Sequence, residues 1–193
     1  MYKRQAKSFN QDLSNWDVSR VTDMKAMFLH ATSFNQDLSK WDVSRVSDML
    51  GIFSDAYSFN QDLSKWDVSR VTDMSAVFVH VDVFNEGLSH WDVSHVSDMQ
   101  WMFADAKSFN QDLSTWDVSR VTDMGEMFRN AESFNQDLSK WDVSCVTDMQ
   151  CMFNGATSFQ QTLCGPAWVN SNADKNGMFV NSRGYISNYV CGA

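Results

Sequence analysis

Leu38-Ser39-Lys40-Trp41-Asp42-Val43-Ser44-Arg45-Val46-Ser47-Asp48-Met49 returns, nearly letter for letter, every 25 residues along this chain. The segment just before it, Ser-Phe-Asn-Gln-Asp-Leu-Ser, opens at Ser8, Ser33, Ser58, Ser108 and Ser133, and in altered form at Val83 and Ser158. Self-similarity at a fixed period of this length is the mark of stacked supersecondary units, not of one globular core. The spacing predicts an array of about six and a half repeats over residues 1–163, followed by a capping segment over 164–193.

Within a repeat, Leu13, Trp16, Val18 and Val21 set apolar residues two apart across Trp16 and Val18, the pattern of a short strand with one buried face. Thr22, Ser47, Thr72, Ser97, Thr122 and Thr147 come next, each followed by Asp. Thr or Ser is a preferred helix N-cap, and an acid in the first turn suits the helix dipole. Apolar residues at Met24, Met27, Phe28 and Ala31 then follow helical spacing, as do Met49, Ile52, Phe53 and Ala56. The expectation is an α/β repeat solenoid with one short strand and one short helix per repeat. Two turns of helix do not survive alone, so contacts between repeats must hold each one in place.

The Leu-x-x-Trp-x-Val segment, the capped Met-Phe segment and the returning Phe-Asn resemble a right-handed leucine-rich repeat in which Trp and Val occupy leucine positions. The chain is similar to BspA-like bacterial surface proteins. Over residues 8–160 it more closely resembles the repeat of about 25 residues in the uncharacterised domain named after mycoplasma lipoproteins, found also in bacterial surface proteins and in algae. The resemblance implies a solenoid outside the cell, at a surface or in an extracellular assembly, engaged in adhesion or protein–protein contact. It implies no biochemical activity.

The chain has 193 residues, 44% of them hydrophobic, and a formal charge of −9. That charge disfavours nucleic acid, whose phosphates need a basic stripe, and disfavours anionic lipid as well. No apolar run approaches the ~18 residues of a membrane-spanning helix, so membrane insertion is not expected. Tyr2 to Ala6 fall where later repeats carry the end of the helical segment. The chain is therefore expected to open within a repeat, as a mature chain or a fragment of a longer array. With no cap visible on that side, self-association through the N-terminal end is one expectation.

Candidate binding residues follow from what points outward. Asp17, Asp42, Asp67, Asp92, Asp117 and Asp142 lie between inward-facing Trp and Val and form a row of carboxylates. Like charges in register repel, and Lys40, Lys65 and Lys140 two residues earlier, with Arg20, Arg45, Arg70 and Arg120 three residues later, are the expected compensation. A glycan- or cation-binding role for this Asp/Lys face is one alternative reading. Asn10 and its copies are expected to form an internal amide ladder. The fourth repeat departs most from the others: His90 and His95 replace Lys and Arg, and Trp101 stands where other copies carry Ala, Gly, Glu or Cys. These three residues define a candidate binding patch.

No nucleophile stands at a recognisable spacing from a base, and there is no glycine-rich phosphate loop. The expectation is a non-enzymatic scaffold without cofactor or metal, contacting a protein partner or a neighbouring subunit; its alternative is a structural subunit of a filament or larger complex. Cys164 and Cys191 flank the C-terminal segment and are expected to form a disulfide, which places the chain in an oxidising compartment. Cys145 and Cys151 fit either a second bridge or free thiols.

Overall fold

A computed structural model describes residues 7–191. The expectation for Tyr2 to Ala6 lies outside the described residues. Among those residues the regular elements are few and all lie near the C-terminus: β1 (Thr162–Leu163), α1 (Pro166–Val169) and β2 (Tyr185–Ile186), with β1 and β2 paired in parallel. The helix expected in each repeat is absent. Residues 24–31 and their counterparts are runs of four-residue turns.

The backbone explains this difference. Ala26 and His30, four residues apart, have φ of 54° and 61°. That left-handed conformation cannot propagate an α-helix. It frees the alternate amides of the segment to donate sideways. The N–H groups of Met24, Ala26, Phe28 and His30 bond to the carbonyls of Asp48, Leu50, Ile52 and Ser54, at 3.0, 2.9, 2.8 and 2.9 Å. The same geometry recurs with left-handed Gly51 and Asp55, Ala76 and His80, Trp101 and Asp105, Glu126 and Asn130, and Cys151 and Gly155. Each repeat thus satisfies its backbone through its neighbour, where a two-turn helix would leave most of its end groups orphaned.

The strand expected across Trp16 and Val18 is also absent as a ladder. Trp41 and Val43 are buried with Asp42 exposed between them, so the alternation is real. Their amides, however, close tight turns within the repeat: Trp41 N–H donates to the Leu38 carbonyl, and Val46 N–H to that of Val43. Parallel bridging occurs a few residues later, through Asp23, Asp48, Asp73, Asp98, Asp123, Asp148 and Asp174 in succession. Thr22 and its counterparts do not cap helices. Ser47 donates both its N–H and its hydroxyl to the Thr22 carbonyl, and Asp23 Oδ1 accepts the Lys25 N–H.

The core is a set of aromatic and aliphatic rows running across the repeats. Phe28, Phe53, Phe78, Phe103, Phe128 and Phe153 stack with centroids 5.5–5.8 Å apart. A second row from Phe9 to Phe159 runs beside it at 5.8–6.2 Å. Beside both rows, each buried tryptophan from Trp41 to Trp141 donates its indole N–H to the leucine carbonyl 28 residues earlier, at 2.9–3.0 Å. These bonds satisfy the one polar atom of a large buried ring, as burial of an indole requires. Trp16 is the exception: it is 56% exposed, because no repeat among the described residues lies on its outer side.

The C-terminal segment behaves as an altered further copy. Trp168 takes the tryptophan place, donating to the Leu138 carbonyl at 2.8 Å. Phe179 stacks on Phe153 at 5.6 Å. Gly177 and Asn181 repeat the pair of left-handed residues four apart. Cys164 and Cys191 form a disulfide, with Cα atoms 5.1 Å apart, while Cys145 and Cys151 are free thiols.

The left-handed positions allow a test of sign. Ala76 has φ of 57°. A non-glycine residue there carries a penalty of about 1–2 kcal/mol that glycine relieves at a smaller entropic cost. Ala76→Gly is expected to stabilise the protein by about 0.5–1 kcal/mol in urea denaturation. A helix at this position would give the opposite result, a loss of about 1 kcal/mol.

Candidate functional site

The outward surface carries three carboxylate rows where the sequence points to one. In the row beginning at Asp17, each side chain is exposed and turned back on its own loop. Asp17 Oδ1 accepts the Ser19 hydroxyl at 2.6 Å and the Ser19 N–H at 3.0 Å, and Asp42 with Ser44 and Asp67 with Ser69 repeat this. Asp92, Asp117 and Asp142 accept the N–H of Ser94, Ser119 and Ser144. The serine hydroxyl, then the serine N–H, hold Asp17, Asp42, Asp92 and Asp117 below the usual aspartate range. In-register repulsion is present, from Asp17 on Asp42 and from Asp92 on Asp117.

The compensation expected from lysine goes elsewhere. Among the described residues no ion pair joins Lys40 or Lys65 to this row. Lys40 acts on Asp12 and Asp37, and Lys65 on Asp37 and Asp62. These aspartates form a second row, each accepting the N–H of a serine two residues on: Ser14, Ser39 and Ser64. The Asp/Lys face is therefore two separate rows. Among the described residues no three His, Cys, Asp or Glu side chains are grouped to hold a metal ion.

The third row is the bridging one, and it is the most buried. Asp98 is pushed above the usual aspartate range, first by burial and then by its stacked neighbours Asp73 and Asp123, against a lowering hydrogen bond from the Gln100 N–H. A carboxyl whose folded pKa is raised makes the folded state hold its proton more tightly. Its unfavourable contribution is absent below the ordinary aspartate range and develops as pH rises through the raised value. Asp98→Asn keeps an acceptor for Gln100 and removes the charge. It is expected to raise the melting temperature at pH 7, with the gain vanishing by pH 3. Equal shifts at the two pH values would contradict this assignment. Asp17, Asp42, Asp92 and Asp117 have the opposite sign: their contribution is present at neutral pH and is lost as pH falls through the lowered values.

The fourth-repeat residues are not brought together. His90 and His95 are exposed beside the Asp17 row, and the His95 ring lies 3.3 Å from the Ser94 hydroxyl. Trp101 sits on the turn segment, and no hydrogen bond or ring contact among the described residues joins it to either histidine. Trp101 is 42% exposed and left-handed, at φ 58°. It occupies the place of Gly51, in a conformation that bulky residues rarely adopt. Glu126 takes the same place one repeat on. Burial pushes the Glu126 carboxyl up, but hydrogen bonds from Arg129 and Trp101 outweigh this and leave it lowered.

One arrangement was not anticipated from the sequence. At the second left-handed position, side chains from successive repeats contact each other along the stack. His30 Nδ1 lies 2.9 Å from Asp55, His80 lies 3.9 Å from Asp105, and Asn130 donates to Asp105 at 2.9 Å. Tyr57 donates to Asp55 at 3.2 Å, and Lys107 pairs with Asp82. The signal was present as His, Asp, His, Asp, Asn and Gly at a spacing of 25. These positions, with Trp101 and Arg129, are among those where the copies differ. The Asn ladder is also placed differently from expectation. Asn10 Oδ1 accepts the Asn35 N–H, and so on repeat by repeat, but the amides are exposed or half-buried.

Between the sixth repeat and the cap lies an open groove of about 1260 Å³, lined by Lys140, Asp142, Cys145, Gln160, Asn170 and the Cys164–Cys191 disulfide among others. No helix of the described residues is long and apolar enough to cross a membrane. Among curated proteins and among solved structures, nothing matches the chain. The model of a family described as "Mycoplasma protein of unknown function, DUF285" matches residues 1–89 and 72–189, overlapping spans that take in the aromatic rows, the bridging aspartates and most of the cap. The chain belongs to that family.

Proposed function

We propose that the chain is a non-enzymatic, right-handed, leucine-rich-like solenoid that presents a surface for protein contact or adhesion, at a cell surface or in an extracellular assembly. One observation carries this reading: the constant residues are used in holding repeat to repeat. Leu accepts from Trp, Asn accepts from the next Asn, and the bridging Asp carbonyl accepts the Met N–H of the preceding repeat. Many of the residues that differ between copies lie on the turn segment, among them Trp101, Glu126, Arg129, His80 and Asp105, while others, such as His90 and His95, lie beside the Asp17 row. A rigid frame with variable outward side chains is how stacked-repeat proteins build extended recognition surfaces. The disulfide supports an oxidising compartment. BspA-like surface proteins, which the repeat resembles, offer an analogy for such a role.

Photo-crosslinking tests the reading. A photoreactive residue in place of Trp101 is expected to capture a discrete protein partner from the extracellular fraction of the source cells. The same residue in place of Asp67, on the constant surface, is expected to capture none. Equal capture at the two positions would refute the variable surface as the binding face.

A further inference from the structure

We infer that the groove between the sixth repeat and the cap is a binding site for an extended segment of a protein partner that carries lysine or arginine. The groove arises because the cap keeps the tryptophan place but not the path to it. Trp141 follows Leu138 by three positions, whereas Trp168 follows Leu163 by five, through Gly165 and Pro166 at the start of α1. The start of α1 and residues 170–172 form one wall, and the sixth-repeat loop around Asp142 forms the other. The space of about 1260 Å³ between them exceeds the roughly 300–1,000 Å³ of a small-molecule pocket. It suits a stretch of chain better than an ion or a metabolite.

The lining spends its donors on the protein and keeps acceptors free. Gln161 donates Nε2 to the backbone and side-chain oxygens of Asn135, and Asn170 donates Nδ2 to the Pro166 carbonyl. The hydroxyls of Ser139 and Thr147 donate to the Thr162 and Thr122 carbonyls. Asp137 and Asp142 each use Oδ1 on the N–H of a serine two residues on. Among the described residues no hydrogen bond takes the second oxygen of either carboxylate, Gln161 Oε1 or Asn170 Oδ1. Lys140 also lines the groove but acts one repeat back: Ser114 holds Asp112 low, and Lys140 adds to that. Two carboxylates against one ammonium disfavour an anionic ligand.

The sixth repeat has also lost the cation that belongs beside Asp142. Serine bonds hold Asp42, Asp92 and Asp117 low, and Arg45, His95 and Arg120, three residues on, add to the effect. At that position the sixth repeat carries Cys145, an exposed free thiol that lines the groove. A partner's lysine or arginine takes the place that arginine holds in other copies. Its charged head meets the free carboxylate and amide oxygens, and its aliphatic stem lies along Pro166, Ala167 and the Cys164–Cys191 bridge.

The test titrates the full chain with a short, end-blocked peptide of alternating Lys and Gly. The peptide is expected to bind and to slow maleimide alkylation of Cys145 about fivefold near saturation. Cys151, the free thiol on the turn segment outside the groove, is expected to keep its rate. Asp142→Asn keeps an acceptor for Ser144 and removes the charge, and is expected to weaken binding about tenfold. Cys145→Arg restores the residue of other copies and is expected to weaken it at least as much, because a tethered guanidinium then competes for the site. Asn15→Lys adds the same charge in the first repeat and is expected to change affinity less than about twofold. The inference is overturned if the peptide does not bind, or if Asn15→Lys weakens binding as much as Cys145→Arg, which would reduce it to attraction by net charge. Equal protection of Cys145 and Cys151, or equal binding of the lysine-acetylated peptide, also overturns it. Free 1,4-diaminobutane that protects Cys145 at the peptide's concentration would show a small-amine site in place of a partner segment. Crosslinking at position 101 reads a different face, so the two readings can fail separately.

Discussion

Trp66→Ala is expected to cost about 3–5 kcal/mol in denaturant unfolding, the largest single-residue effect in this protein. The side chain is 3% exposed and packs in parallel on Trp41 at 6.5 Å and against Phe53 at 6.1 Å. Truncation removes more apolar surface than at any other residue type and leaves a cavity bounded by stacked rings, which cannot close without moving two rows. It also leaves the Leu38 carbonyl without the indole donor it has at 3.0 Å. That carbonyl keeps the Trp41 N–H, so the lost indole bond adds about 0.5–1.5 kcal/mol, the net worth of one hydrogen bond. Trp16→Ala, at the same place in the first repeat, is expected to change stability by less than about 0.5 kcal/mol, because an exposed ring has neither burial nor a buried bond to lose. Measured side by side, the pair separates position in the stack from residue chemistry. Similar costs at Trp16 and Trp66 would contradict the burial difference on which this expectation rests.

The same contrast shows what a repeat sequence makes legible. Leu, Trp, Val, Met and Phe are read as inward from their spacing, and from the second repeat to the sixth they are buried. Spacing alone misassigns the backbone around them. A run of four-residue turns places its side chains with a period of four, close enough to 3.6 that Met24, Met27, Phe28 and Ala31 fit a helical stripe equally well. What distinguishes the two is the residue type at many of the left-handed positions, above all the second of each repeat. Gly51, Asp55, Asn130 and Gly155 belong to the few types that adopt this conformation readily, and His30 and His80 are enriched there as well. Read as a column of copies, that row announces turns. Read along one repeat, it is hidden by Ala26 and Ala76, which favour helices when isolated.

The site divides in the same way. Asp17 and its copies are identifiable as outward because they alternate with buried neighbours. Which cation faces which carboxylate depends on how the loop between Leu and Trp folds back, and no local spacing encodes that. Lys40 sits two residues before Asp42 in the chain, yet it acts on Asp12 and Asp37. Trp101 stands out in the sequence as a departure from the other copies. Its influence on Glu126 depends on the register of adjacent repeats, which places residues 25 apart side by side.

Reduction of the Cys164–Cys191 disulfide, or Cys164→Ser, is expected to destabilise the C-terminal end by about 3 kcal/mol. The bridge spans a sequence separation of 27, and the entropy of closing a loop of that length sets the magnitude in the chain-entropy model. The loss should be local before it is global. In a stack, each unit is held by its neighbours, so weakening the last one frays the end and leaves the middle intact. The fraying unit carries Trp168, Met178 and Phe179, which cover Leu138, Phe153 and Phe159. Hydrogen exchange should therefore accelerate first at the amides that donate to the cap: Met149, Cys151, Phe153 and Gly155, whose acceptors are Asp174, Asn176, Met178 and Val180. The amides of Met74, Ala76 and Phe78, at the centre of the stack, should keep their protection. Uniform acceleration along the chain would mean that the repeats unfold as one unit. Unchanged exchange at the cap would mean that Trp168 and the parallel pair of β1 and β2 hold the cap without the bridge.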